Sequence, residues 1–181
     1  MTKYKSLTLI EKIFAQVYYI CVEKFGITMI EEKLKEILGY ELPEAAKPLA
    51  AYVPAQKAGN LIFTSGQLPT KEGKLVATGK VGKDVSEEDA IEAAKICAVN
   101  CLSAVKTLIN DLDKIEQIVK LVVFVNSEAG FTSQPKIANG ASEFIVNIFG
   151  EKGKHARSAV GVSELPLNAP VEVEMIVKVS E

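Results

Sequence analysis

Ile118-Val-Lys-Leu-Val-Val-Phe-Val125 is apolar except at Lys120 and reads as a central, buried strand. The periodicity changes on either side of it. Upstream, Ser86-Glu-Glu-Asp89 has the form of a helix opening, and Ala90, Ala94, Cys97, Cys101, Ala104, Val105 and Leu108 recur on one helical face as far as Asn110. The small side chains of that face predict close packing on a sheet. Downstream, residues 130–133 form a loop and Pro135 suits a first helical turn. A second helix is predicted over Ile137–Phe149, closed by Gly150.

Shorter extended runs complete the pattern. Ala51–Pro54, Asn60–Gly66 and Leu75–Val81 precede the first helix. Turns at Lys57-Ala-Gly-Asn60 and Lys71-Glu-Gly-Lys74 separate them, so the first two should form a hairpin. Ser158–Val162 and Val171–Val179 follow the second helix, and the short Leu165–Pro170 connection predicts that they too are hairpin neighbours. The order β-β-β-α-β-α-β-β gives an α+β domain, a mixed sheet of six strands with two helices packed on one face.

Residues 1–41 read differently, as an N-terminal helical extension to a domain over 42–181. Leu9, Ile10, Ile13, Phe14, Val17, Ile20 and Cys21 recur at helical spacing up to Gly26. Thr28-Met-Ile-Glu31 then forms a capping box for a short helix with Ile30, Leu34, Ile37 and Leu38 apolar and Gly39 as its stop. The best membrane-span candidate, Ile13–Val22, falls well short of the ~18 apolar residues a span needs. Cytoplasm is the expected compartment, with no membrane partner.

The chain has 181 residues, 21 basic and 23 acidic, and only one of the basic residues, Arg157, is Arg. An acidic balance with a single Arg argues against nucleic acid as a partner. Three cysteines without paired CxxC spacing give neither a disulfide framework nor a zinc site, and no metal is expected. Cys97 and Cys101, four apart, share a helix face as small buried hydrophobes. His155 is the only histidine, so a two-histidine acid–base pair is excluded. It reads as a polar residue at the start of a strand rather than a general base. A serine-nucleophile elbow, a P-loop and a GxGxxG motif are all missing.

Two features remain for chemistry. Alternation along Val171-Glu-Val-Glu-Met-Ile-Val-Lys-Val179 puts Glu172 and Glu174 on one face and Val171, Val173 and Met175 on the other. A solvated sheet face is the ordinary reading of such a pair. Arg157 is the other feature, since its planar fork suits bidentate capture of a carboxylate in a way Lys does not. With the last two strands as neighbours, Arg157 should come near an acidic residue or the end of the sheet. From residues alone, this is an α+β domain with a candidate anion pocket.

Several local strings resemble one family jointly. They are Ala51-Tyr-Val-Pro54, Gly59-Asn-Leu-Ile-Phe-Thr-Ser-Gly-Gln67, Val119-Lys-Leu-Val-Val-Phe-Val125, Asn139, Ala156-Arg-Ser158, and Leu165-Pro followed by Val171-Glu-Val-Glu174. Over Pro48–Val179 the chain resembles the Rid (YjgF, L-PSP) family of reactive intermediate deaminases, in the branch labelled endoribonuclease L-PSP/chorismate mutase-like. The resemblance implies a chorismate mutase-like fold, a homotrimer with intersubunit pockets, and hydrolysis of reactive enamines and imines to 2-oxo acids and ammonia without a cofactor.

It also implies roles for residues. Arg157 would bind the substrate carboxylate and Glu172 would activate or orient a water. Tyr52 and Asn139 would line the pocket, one of them from a neighbouring subunit. Gly66 would allow close backbone approach, and Ala159 would offer backbone polar groups. The ligand would be a small carboxylate-bearing imine, enamine or 2-oxo acid. Family deaminases usually carry Cys where this chain has Ala159 and Pro where it has His155. A non-catalytic carboxylate-binding trimer is the alternative. A ribonuclease is disfavoured by the acidic balance, and a chorismate mutase by the lack of a second Arg for a dianionic substrate.

Overall fold

The computed structural model describes residues 29–46 and 51–180. The chain divides into two compact units, Met1–Glu41 and Leu42–Glu181. The helix expected over residues 9–26, and Thr28 of the capping box, lie outside the described residues. In the first unit, helix α1 spans Met29–Leu38. Gly39 ends it at φ +76, with its N–H donating to the Lys35 carbonyl at 2.8 Å, the left-handed stop expected from the sequence.

The second unit holds β1 (Ala55–Ala58), β2 (Leu61–Thr64), β3 (Thr70–Lys71), β4 (Lys74–Leu75), α2 (Glu87–Ile109), β5 (Ile115–Asn126), α3 (Gln134–Phe149), β6 (Ala156–Val162) and β7 (Val171–Val179). The principal sheet is mixed, in the order β1-β2-β7-β5-β6. It has five strands among the described residues rather than six. Residues 51–54 stop short of the sheet, and β1 begins just after Pro54. Of Leu75–Val81, only the first residue is strand, paired in a separate two-stranded ribbon of β3 and β4. That ribbon turns through Glu72 and Gly73, both at positive φ, as a two-residue hairpin requires.

The last two strands are not neighbours either. β5, α3 and β6 form a crossover unit, which lays β6 parallel to β5. β7 instead enters antiparallel between β2 and β5. A short connection permitted a hairpin, but each strand found a longer apolar partner elsewhere.

One sheet face carries both long helices. Val171, Val173, Met175, Val177 and Val179 of β7 are all buried, as are Leu121, Val123 and Val125 of β5. Ser86 caps α2 by accepting from the Asp89 N–H at 3.1 Å. Cys97 and Cys101 are buried on its sheet-facing side, where their thiols donate to the carbonyls of Val171 at 3.6 Å and Val173 at 3.3 Å. The two helices touch so closely at Gly140 that a Cβ there would collide with the Ile91 carbonyl.

Candidate functional site

The fold sorts the candidate residues into two clusters, one at the edge strand β6 and one at β7. Arg157 lies opposite Leu121 in the β5–β6 register, and Leu121 lies opposite Met175. Residues paired across strands share a face, so Arg157 projects on the helix side of the sheet. There it meets α3, where Asn139 and Ser142 stand one turn apart on a common face. The Arg157 Nη1 donates to Asn139 Oδ1 at 2.9 Å and to Ser142 Oγ at 3.0 Å. Both partners are neutral, and the approach to an acidic residue that a β6–β7 hairpin would have given does not occur.

Ser142 Oγ also lies 3.0 Å from His155 Nε2, and His155 Nδ1 lies 2.6 Å from the Gly153 carbonyl oxygen. Ser142, Val146, Lys154, His155 and Arg157 line an open pocket of about 290 Å³. The single arginine and the single histidine of the chain thus share one pocket. Ala159 follows two residues after Arg157 on the same half-buried edge strand, whose outer side has no strand partner among the described residues.

The second cluster surrounds Glu172. Gln67 exchanges backbone hydrogen bonds with Val173, at 2.8 and 3.0 Å, carrying the chain past Gly66 alongside β7. Gly66 has no Cβ, and one placed there would overlap Glu172 Oε1, so the carboxyl group occupies the volume a side chain would take. Burial raises the Glu172 pKa above its ordinary value, and the neighbouring Glu174 charge adds to the rise. Tyr52 is 53% exposed. Its segment is tied down next to Gly66, because Ser65 donates through Oγ to the Val53 carbonyl at 2.7 Å and through N–H to that of Pro54 at 2.9 Å.

Arg157 and Asn139 therefore stand together, as do Glu172 and Gly66, but the pairs occupy opposite faces of one sheet. Glu172 lies opposite Phe124, on the side away from the helices. Ser142 and the engagement of His155 are absent from the sequence reading. The i, i+3 spacing of Asn139 and Ser142 was the available signal, but nothing in the chain marks which strand their helix face meets.

Residues 32–179 match the family described as "YjgF/chorismate mutase-like, putative endoribonuclease". Protein TCP17 of Trypanosoma cruzi is 42% identical over 144 residues, 79% of this chain and 90% of its own. A 2-iminobutanoate/2-iminopropanoate deaminase of Dermatophagoides farinae is 31% identical over 136 residues, 75% of this chain and 91% of its own. Among solved structures, a protein of unknown function from Agrobacterium tumefaciens has a TM-score of 0.78 at 43% identity, covering 92% of this chain and 98% of that one.

Proposed function

The chain belongs to the YjgF/chorismate mutase-like family, and from that premise we propose that it is a deaminase hydrolysing small 2-imino acids to 2-oxo acids and ammonia. The observation that carries this reading is the Arg157 guanidinium, held by two neutral partners in an open pocket with no carboxylate neutralising it among the described residues. Such a group is suited to a substrate carboxylate. The mite relative's name points to the same chemistry.

In this reading Arg157 anchors the carboxylate beside the C=N carbon, and Asn139 and Tyr52 line the pocket. A protonated imine is already a good electrophile, so positioning one water supplies much of the acceleration. Glu172, made more basic by its raised pKa, takes a proton from that water as its oxygen bonds to the imine carbon. Glu172 returns that proton to the nitrogen of the resulting carbinolamine. The C–N bond breaks as the hydroxyl gives up its own proton to form the 2-oxo acid, and the nitrogen leaves as ammonia. Gly66 leaves room for the carboxyl group, and Ala159 offers backbone polar groups. No cofactor takes part.

Arg157 and Glu172 face apart within one chain, so a second copy must supply one of them. A homotrimer with intersubunit pockets meets that requirement, and the edge of β6, unpaired among the described residues, offers it a backbone ladder. Residues 42–181 would form the catalytic domain, with residues 1–41 as an extension and cytoplasm as the compartment.

Ammonia release measured while an amino-acid oxidase supplies the imine tests the proposal. Wild type should accelerate it and Arg157→Lys should abolish the acceleration; no acceleration with any short-chain imino acid overturns it. One observation favours a second reading, non-catalytic carboxylate binding: the Arg157 cluster is complete in one chain without Glu172. That reading requires ligand binding without turnover in wild type, unchanged by Glu172→Gln.

A further inference from the structure

We propose that Ser142 and His155 are positioning residues that hold the Arg157 guanidinium with its Nε–Nη2 edge towards a ligand carboxylate. The inference rests on the carboxylate-binding role of Arg157 and adds a supporting chain of hydrogen bonds, each with a fixed direction.

The chain starts at a rigid point. Gly153 is buried, and a Cβ on it would lie 2.6 Å from the Ile145 carbonyl oxygen and 2.9 Å from the Val146 Cα. The turn is thus pressed directly onto α3, and its carbonyl has a fixed place. A carbonyl oxygen only accepts, so the His155 Nδ1 at 2.6 Å carries the hydrogen. In the Nδ1–H tautomer Nε2 keeps a lone pair, and the Ser142 hydroxyl donates to it across 3.0 Å. With its hydrogen committed, Ser142 Oγ turns a lone pair to Arg157 Nη1.

Nη1 has two hydrogens. One goes to Ser142 and the other to Asn139 Oδ1, so this nitrogen is fully used. Nε and Nη2 keep their hydrogens, and together they form the side-on fork that matches the two oxygens of a carboxylate. The end-on fork, which needs an Nη1 hydrogen, is closed. His155 thereby acts on the ligand at one remove, through Ser142, and sets which edge of the guanidinium the ligand meets.

Because the chain contains one His and one Arg, each side chain gives a single, self-assigned signal in the full-length protein labelled with ¹⁵N-histidine and ¹⁵N-arginine. Neutral His155 should show the Nδ1–H tautomer. The Arg157 Nη1 hydrogens, held by Ser142 and Asn139, should exchange slowly with solvent in wild type and at least tenfold faster in Ser142→Ala. Ser142→Thr, which keeps the hydroxyl, should restore slow exchange. Pyruvate should shift the Arg157 signal, and its Kd should rise roughly tenfold in Ser142→Ala, as expected for one hydrogen bond to a charged group. An Nε2–H tautomer, or Arg157 exchange unaltered by Ser142→Ala, overturns the proposal. If pyruvate fails to move the Arg157 signal in wild type, the carboxylate role falls instead. The tautomer and exchange data still decide whether the positioning chain exists.

Discussion

Gly66 and Glu172 share one volume: the carboxyl group of Glu172 lies where a Cβ on residue 66 would stand. The exit of β2 and the start of β7 are thereby matched at the level of a single methyl group. The consequence for function is direct, because Glu172 is the proposed base.

Gly66→Ala should push the Glu172 side chain out of its place at a stability cost of about 1 kcal/mol, since the obstructing atoms end a flexible side chain. Ammonia release from a supplied imine should fall at least tenfold while the thermal midpoint changes little. Full activity in this variant would remove Glu172 from the mechanism.

The raised pKa of Glu172 has a stability signature. A carboxyl group that holds its proton more tightly folded than unfolded makes the folded state lose ground as pH rises from about 4.5 through the raised value. Stability from this group is therefore complete below the unfolded pKa and reduced above the folded one. Glu172→Gln has no charge to bury, so it should flatten that part of the profile and be the more stable protein at neutral pH. Urea midpoints measured at several pH values, at one protein concentration, check this. Parallel profiles for the two proteins would contradict it.

At Gly140 the obstruction is backbone rather than side chain. The Ile91 carbonyl cannot swing away without disturbing α2, so Gly140→Ala should cost about 1–3 kcal/mol despite improving helix propensity. Chemical denaturation of the variant measures it, and a stabilised protein would show that the helices can separate freely.

Burial raises the pKa of both thiols that join α2 to β7, and pushes Cys101 up to about 12. Neither Cys97 nor Cys101 should be alkylated by iodoacetamide in the native protein at neutral pH. Peptide mapping should find them modified only after denaturant is added. Native labelling at either position would show that α2 lifts from the sheet.

What could be read in advance was whatever depends on local periodicity. The alternation of β7, the cap at Ser86, the stop at Gly39 and β5 as an interior strand all appear in the structure near their expected positions, but β5 is buried on one face only, with Val119 exposed on the other. Strand adjacency depends instead on competition between distant partners. β7 lies beside β2 and β5 because their apolar faces extend the core, and the eight-residue gap between β6 and β7 carries no trace of that choice. The site divides in the same way. Arg157 stood out as the only one of its kind, whereas Ser142 became visible only when α3 was laid against β6. Gly66 was expected to admit a ligand, and within this chain it admits Glu172.

The placement of Arg157 and Glu172 on opposite faces of a sheet makes any chemistry that uses both a property of assembly. Its rate then obeys mass action: dilution below the dissociation constant of the assembly would extinguish turnover while leaving every chain folded, with Arg157 still at its post. Mixing inactive Arg157→Ala chains with inactive Glu172→Ala chains would restore some of it, because a pocket that borrows one residue from each can draw its two intact halves from different mutants.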